Sequence, residues 1–235
     1  MIVEVNLLIS ILKLTKSNSV IVENVKRDTL IQISIIKKLL QNLQSQGLIY
    51  LKGDNVTADT YQRLKLAVKA VSLGADIEQV CSLLCWQEFE EIAAIALRNN
   101  GYEIAKNLRF KNAGRRREID VVGWRKPLVV CIDCKHYHHG MSPSVLQRVV
   151  ESQIQRTKAL VETLPNAKMK LAFTAWGTAK FVPAILSLFP GRMKFYNAVP
   201  VMAILQLQDF INQLPLQVDY LTHISKEFNH LSNNT

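Results

Sequence analysis

The chain has 235 residues, with 29 Lys and Arg against 19 Asp and Glu, so its formal net charge is +10 at pH 7. A hydrophobic fraction of 49% supports a sizeable core and excludes a disordered chain. A charge this basic indicates a polyanionic partner, either nucleic acid or a membrane surface. No stretch approaches the roughly 20 apolar residues of a membrane span and no secretory signal is visible, so we expect a soluble, cytoplasmic protein without a membrane partner.

The first 58 residues carry the pattern of three helices followed by a hairpin. The third helix, predicted over 30–46, has an apolar stripe at helical spacing and carries Lys37 and Lys38 on its polar face. Strand, turn and strand patterns follow over 48–57. The segment resembles a winged helix-turn-helix domain, which implies DNA contacts from Lys37 and Lys38. A helical interaction or dimerisation domain has the same pattern, so that alternative stays open.

The rest of the chain changes from a helical connector to an α/β pattern. Residues 59–82 are predicted to form the connector. Beyond it we predict a helix at 87–99, strands at 102–110, 117–124 and 128–137, a long helix at 144–164, strands at 170–176 and 199–205, and a helix at 207–214. Strands followed by a crossover helix imply an α/β fold with a mixed sheet flanked by helices.

Charged residues lie on two neighbouring strands of this predicted sheet. Asp133 and Lys135 end an apolar strand and share a face because they are two residues apart. Charged side chains at the end of an apolar strand cost folding free energy, which favours a functional role for them. The preceding strand can bring Asp120 beside Asp133, and Glu90 in the helix before it supplies a third carboxylate. Carboxylate and carbonyl oxygens suit Mg²⁺, and a nearby lysine can hold water or stabilise phosphate charge, so the set predicts metal-assisted phosphodiester hydrolysis.

A family resemblance rests on these same positions. The series Phe89-Glu90, Gly101-Tyr102, Glu118-Ile-Asp120 and Asp133-Cys-Lys135 resembles the PD-(D/E)XK nuclease superfamily, with spacing similar to Mrr-like restriction endonucleases and archaeal Holliday junction resolvases. The resemblance covers about 83–205. It implies a restriction-endonuclease-like core and Mg²⁺-dependent cleavage that leaves 5′-phosphates, with Mn²⁺ as a substitute metal.

The resemblance also implies a role for each matching residue. Glu90 would be the helix acid, Asp120 the central metal ligand, Asp133 the second ligand and Lys135 the catalytic lysine. Ile119 stands where the motif has a proline, and Glu118 shares the strand face of Asp120. The alternative for the same residues is a structural ion-pair network.

Basic residues surround the predicted site. Arg115, Arg116 and Arg117 fall on a hairpin just before Asp120, and we predict that they clamp substrate phosphates; a solvated turn is the alternative. In the long helix, Gln153 and Arg156 are predicted to contact DNA.

Cysteines and histidines near the site are assigned no metal. Cys131 and Cys134 are an odd number of residues apart on one strand, so they point to opposite faces and cannot easily bind one ion. His136, His138 and His139 lack further ligands in a zinc-binding pattern.

Together these features predict a two-domain DNA endonuclease. Residues 1–58 are the winged helix, 59–82 the connector and 83–235 the nuclease domain. Two other functions stay open: a catalytically inactive DNA-binding regulator on a nuclease-like fold, and a structure-selective nuclease of branched DNA or RNA. A homodimer is compatible with cutting both strands of a duplex.

Overall fold

The computed structural model describes residues 2–16, 19–135, 141–166, 169, 171–187 and 194–228. The chain divides into two compact units, residues 1–89 and residues 90–235. Within the described ranges, no helix is both long enough and apolar enough to cross a membrane.

The first unit combines helices with a small antiparallel sheet. In chain order its elements are α1 (Ile2–Leu14), β1 (Val20–Ile21), α2 (Val22–Thr29), α3 (Ile33–Ser45), β2 (Tyr50–Lys52), β3 (Asn55–Thr57), α4 (Thr60–Ser72) and α5 (Ile77–Ser82). The strand order is β1-β3-β2. Helix α1 packs against α2 and α4, so the residues predicted as a connector, 59–82, are part of this unit.

A buried arginine ties several segments of the first unit together. Arg63 on α4 forms an ion pair with Glu88, with Nε 2.6 Å from Oε1, and both side chains are 3% exposed. Its remaining N–H groups donate to the carbonyls of Leu12 and Leu83 and to Oγ1 of Thr15. Because every charged donor and acceptor of the pair is hydrogen-bonded, its burial is tolerated, and removing one partner would be strongly destabilising.

The second unit is built on a mixed sheet. Its elements are α6 (Trp86–Asn99, which begins in the first unit), β4 (Glu103–Asn112), β5 (Arg115–Arg125), β6 (Leu128–Lys135), α7 (Pro143–Thr163), β7 (Thr178–Ser187), β8 (Phe195–Tyr196), β9 (Val199–Ala203), α8 (Leu207–Gln217) and β10 (Ile224–Glu227). The strand order is β4-β5-β6-β7-β9-β8, and β10 pairs with β7. Strands β4, β5 and β6 are antiparallel, whereas β6, β7 and β9 are parallel.

Helices cover both faces of this sheet. Helix α7 packs against β4, β5 and β7 over a buried cluster that includes Val122, Leu160 and Phe181. On the opposite face, a Cβ at Gly123 of β5 would lie 2.8 Å from Cδ1 of Leu97 on α6. That approach requires glycine, so the helix and the strand are in direct contact there. The predicted α/β fold with a mixed sheet flanked by helices is confirmed.

One predicted strand is wrong. Residues 170–176 were predicted as a strand, but Ala172–Ala175 form a turn of 3-10 helix, and the fourth core strand is β7. Phe173 is fully buried in the cluster under α7, so the apolar residues of this segment pack as a turn rather than in the sheet.

Candidate active site

Two carboxylates meet where the pairing of β5 and β6 ends. The last paired residues are Val121 and Ile132, and the next residues on the two strands are Asp120 and Asp133. Oδ2 of Asp120 accepts a hydrogen bond of 2.7 Å from the backbone N–H of Cys134. The two strands thus bring Asp120 beside Asp133, as the sequence pattern suggested.

A kink in β4 lies opposite Asp120. Lys106 pairs with Val121 and Leu108 pairs with Ile119, whereas the residue between them, Asn107, has a positive φ of 51°. The register of β4 and β5 is the same on both sides of Asn107, so no extra residue is inserted there. Ile119 and Val122 on β5, which would face opposite sides of a regular strand, join the same buried cluster. The two faces of β5 therefore change over in the short stretch that contains Asp120.

Asp133 is paired with two cations. It is 1% exposed, and its Oδ2 lies 2.7 Å from Nζ of Lys135. Its Oδ1 lies 2.6 Å from Nη2 of Arg156 on α7. A carboxylate this buried requires such partners to remain charged. The sequence pattern predicts a DNA contact for Arg156 and does not indicate this ion pair, which joins β6 to a residue of α7 that lies 23 positions further along the chain.

Glu90 on α6 is the third carboxylate. It is 3% exposed, and within the described part of the chain its Oε2 has no hydrogen-bond partner. Burial, followed by the negative charge of Asp120, raises the pKa of Glu90 from 4.5 to about 7, although Lys106 acts in the opposite direction. Burial and the charge of Asp133 also raise the pKa of Asp120. Burial and the neighbouring carboxylates therefore both favour the protonated forms of Glu90 and Asp120.

The side chains as placed do not form a complete metal-binding group. Among the described residues, no set of three or more His, Cys, Asp or Glu side chains is arranged to hold a metal ion. Asp133 instead forms ion pairs with Lys135 and Arg156. Glu118 is turned to Arg109, whose Nε lies 2.8 Å from Oε2 of Glu118.

The structure changes the interpretation of Gln153. This residue is fully buried, and its Nε2 donates a 2.7 Å hydrogen bond to the carbonyl of Cys131 on β6. A buried side chain cannot contact a DNA backbone in this arrangement, so the predicted DNA contact is corrected to a bond that ties α7 to β6.

The basic hairpin has the exposure that a phosphate contact requires. Arg115 and Arg116 are exposed at the turn between β4 and β5, and neither forms an ion pair with another described residue. Arg116 lies directly opposite Lys111. Like charges facing each other across a ladder are destabilising, so an anion placed there would relieve the repulsion. Arg117 is half-buried, and its Nε has no hydrogen-bond partner among the described residues.

The remaining predicted residues lie elsewhere or outside the described ranges. Lys37 and Lys38 are exposed on α3 of the first unit, and Nζ of Lys37 lies 3.0 Å from Oδ1 of Asp54. His136, His138 and His139 are outside the described residues.

Comparison with known proteins supports a nuclease-like domain at this position. Residues 82–166 match the family model described as restriction endonuclease (Mrr_cat). The matched region runs from α6 to the end of α7 and contains Glu90, Asp120, Asp133 and Lys135. The nuclease-like fold predicted from the motif is thereby confirmed for this region.

Individual relatives are more distant. An uncharacterized protein of Archaeoglobus fulgidus is 26% identical over 129 residues, which is 55% of this chain and 91% of the relative. A protein of unknown function, AF1548, is a structural neighbour with a TM-score of 0.31 and 15% identity, covering 49% of this chain and 57% of its own.

Two further solved structures align over most of the chain. Protein VC1899 from Vibrio cholerae has a TM-score of 0.40 and 13% identity, covering 92% of this chain and 50% of its own. Restriction endonuclease FokI has a TM-score of 0.35 and 17% identity, covering 93% of this chain and 45% of its own. The chain spans about half the length of these structures, and TM-scores this low carry no argument about function.

Proposed function

We propose that the chain is a Mg²⁺-dependent DNA endonuclease, with Mn²⁺ as a substitute metal. The observation that carries the proposal is the buried Glu90, whose Oε2 has no described partner, beside Asp120 and near Asp133 and Lys135 at the end of β6. A nuclease family match over the same residues supports it.

The residues present suit a hard divalent cation. Glu90, Asp120 and Asp133 offer carboxylate oxygens, which are the ligands that Mg²⁺ prefers. Burial, and then the charge of neighbouring carboxylates, raises the pKa values of Glu90 and Asp120, and a bound cation would stabilise their ionised forms. When bound, Mg²⁺ supplies charge stabilisation to the phosphate that is hydrolysed. We assign Glu90, Asp120 and Asp133 as its ligands.

Lys135 is assigned a direct part in the hydrolysis. Its Nζ is anchored by Asp133 and its side chain remains 24% exposed, so it can reach both the site and the solvent. In the reaction water adds to phosphorus and one P–O ester bond breaks, leaving a 5′-phosphate and a 3′-hydroxyl. Lys135 holds the water or donates to the phosphate oxygen on which charge accumulates.

The first unit is proposed to bind DNA as a winged helix-turn-helix over residues 1–58. The order helix, strand, helix, helix and hairpin supports this, as do the exposed Lys37 and Lys38 on α3, the helix that would enter the major groove. Residues 1–89 hold ten Lys and Arg against eight Asp and Glu, whereas residues 90–235 hold nineteen against eleven. We therefore assign most of the electrostatic affinity for DNA to the second unit.

The proposal is tested with the whole chain and purified variants. Parent, Asp133→Ala and Lys135→Ala are incubated with Mg²⁺, Mn²⁺ or EDTA and with plasmid, single-stranded, branched DNA and RNA substrates. We expect cleavage of plasmid DNA by the parent only, with no cleavage in EDTA, and we expect both variants still to bind DNA.

Each other outcome identifies a different function. Binding without cleavage of any substrate would indicate a catalytically inactive DNA-binding regulator. Cleavage confined to branched DNA or RNA would indicate a structure-selective nuclease. Parental cleavage by Asp133→Ala would overturn the site assignment.

A further inference from the structure

A cleft of about 360 Å³ opens beside Asp133, between the end of β6 and helix α7. It is lined by Lys135, Val145, Arg148, Val149, Ser152 and Arg156. Five of these residues belong to α7 and, apart from the adjacent Arg148 and Val149, are three or four positions apart, so they form one face of the helix. Three of the six lining residues are cations, and none is acidic.

The charges in this cleft do not balance. Lys135 and Arg156 both pair with Asp133, and their charges also act on the neighbouring Asp120. Arg148 is exposed and forms no ion pair with any residue that the structure describes. Nε of Arg156 is buried and has no described hydrogen-bond partner, so this side chain has a donor to spare. The residues that line the cleft therefore carry positive charge only, and they include unused guanidinium donors.

We propose that this cleft is a binding subsite for a DNA backbone phosphate. Arg148 and Arg156 bind the phosphate, and Arg156 gives up its ion pair with Asp133 when it does so. The inference rests on the proposed nuclease function. Guanidinium groups suit a phosphate because their planar donors bind two oxygens at once and stay charged. The phosphate would be one flanking the bond that is cut, because Lys135 belongs to both the cleft and the proposed active site.

The exchange couples DNA binding to metal binding. In the described structure Oδ1 of Asp133 forms an ion pair with Arg156, so a metal cation would have to compete with the guanidinium for that oxygen. When a phosphate draws Arg156 away, Oδ1 is freed for a divalent cation. Metal should therefore bind more tightly in the presence of DNA, and DNA more tightly in the presence of metal, by the same factor.

Binding measurements on the full chain test the subsite. Fluorescence anisotropy in EDTA compares the parent with Arg148→Gln and Arg156→Gln on one duplex over a range of salt concentrations. The matched control is Lys158→Gln, which removes an exposed charge of α7 outside the cleft. We expect each arginine variant to lose about tenfold in affinity and about one unit of salt slope, and the control to lose little. Parental affinity and salt slope in Arg148→Gln would overturn the subsite.

Calorimetry with Ca²⁺ as the metal probe tests the exchange. We expect Arg156→Gln to bind Ca²⁺ more tightly than the parent in the absence of DNA, and to show little further gain when the duplex is added. An unchanged Ca²⁺ affinity and an unchanged gain with DNA would overturn the exchange. If Arg156→Gln fails to fold, Arg156→Lys replaces it; a lysine cannot bind two phosphate oxygens in the same way, so its DNA-dependent gain should be smaller than that of the parent.

These measurements are independent of cleavage. If the parent cuts no substrate with Mg²⁺ or Mn²⁺, the nuclease proposal fails, whereas loss of DNA affinity in Arg148→Gln would still support the subsite. If the parent cuts DNA and Arg148→Gln binds it as the parent does, the subsite alone fails.

Discussion

Nζ of Lys37 on α3 lies 3.0 Å from Oδ1 of Asp54 in the turn between β2 and β3. The side chains are 51% and 66% exposed, so the pair contributes little to stability. Its consequence is electrostatic, because Asp54 offsets one of the two lysines, Lys37 and Lys38, that the proposed recognition helix carries. A DNA backbone approaching α3 would meet this carboxylate as well as the lysines.

Replacing Asp54 should strengthen DNA binding if α3 is a DNA-contacting helix. Asp54→Asn removes the offsetting charge while keeping the side-chain shape, so we expect a few-fold gain in affinity that shrinks as salt is raised. Fluorescence anisotropy on the full chain measures it. The control is Glu227→Gln, which removes an exposed carboxylate on β10. Equal affinities for Asp54→Asn, the control and the parent would mean that α3 serves another purpose, such as a protein contact.

Glu90 should destabilise the fold near neutral pH. Because its pKa is raised from 4.5 in the unfolded chain to about 7, the native state binds this proton more tightly than the unfolded state. The protonated Glu90 carboxyl therefore contributes stability that is fully present below pH 4.5 and is lost as the pH rises through 7.

Glu90→Gln should therefore raise the free energy of unfolding by roughly 1–3 kcal/mol above pH 7, and the gain should shrink toward pH 4.5. Urea denaturation in EDTA at both pH values measures the difference. In Mg²⁺ the same variant should lose cleavage, because it lacks a proposed ligand. A destabilised Glu90→Gln at high pH would show that the Glu90 carboxylate has a favourable partner in the native state.

The sequence predicts those helices and strands in which the spacing of apolar residues matches the side that packs in the core. Strands β4 to β6 and helix α7 lie within a few residues of their predicted positions because their apolar residues recur at strand or helix spacing. Strand β7 does not stand out because it contains Pro183, which lacks the N–H that a central strand normally uses. In the structure β10 pairs with residues 178–181 and β9 with residues 185–187, and Pro183 falls between these two ladders.

The candidate site is predictable only as far as neighbouring strands determine it. Asp120, Asp133 and Lys135 follow from alternation along β5 and β6. The contacts of Arg156 and Gln153 cannot be derived in this way, because their partners depend on how α7 is rotated against the sheet. Asn107 carries a usable signal, since asparagine tolerates a positive φ and its presence in a strand pattern indicates a local break.

Gln153 should act through the position of β6 rather than through DNA. Gln153→Met removes its bond to the carbonyl of Cys131, which lies two residues before Asp133 on β6. We expect a loss of about 1–2 kcal/mol in unfolding free energy and reduced cleavage, with DNA affinity unchanged. Gln155→Met, at an exposed position of α7, is the control. A fall in DNA affinity without a change in stability would restore the predicted DNA contact.

The basic hairpin is expected to bind DNA at a cost to its own stability. Arg116 faces Lys111 across the ladder, and Arg115 faces the neutral Asn112. Because two cations face each other without a described acidic partner, replacing Arg116 should leave the melting temperature unchanged or raise it. A residue that lowers stability in the free protein and strengthens binding to a ligand is the pattern expected of a binding site.

The double variant Arg115→Ala/Arg116→Ala should therefore bind DNA more weakly without being less stable. We expect a loss of roughly 1–3 kcal/mol in binding free energy and a reduction of the salt slope by at most about two units, since each arginine contacts at most one phosphate. Sequence preference should stay the same, because phosphate contacts carry no base information. Anisotropy over a salt series measures the slope and thermal denaturation measures stability, with Lys158→Ala as the control for a lost surface charge. If affinity and salt slope match those of the parent, the hairpin is a solvated turn, and the path of DNA must be traced along α7 instead.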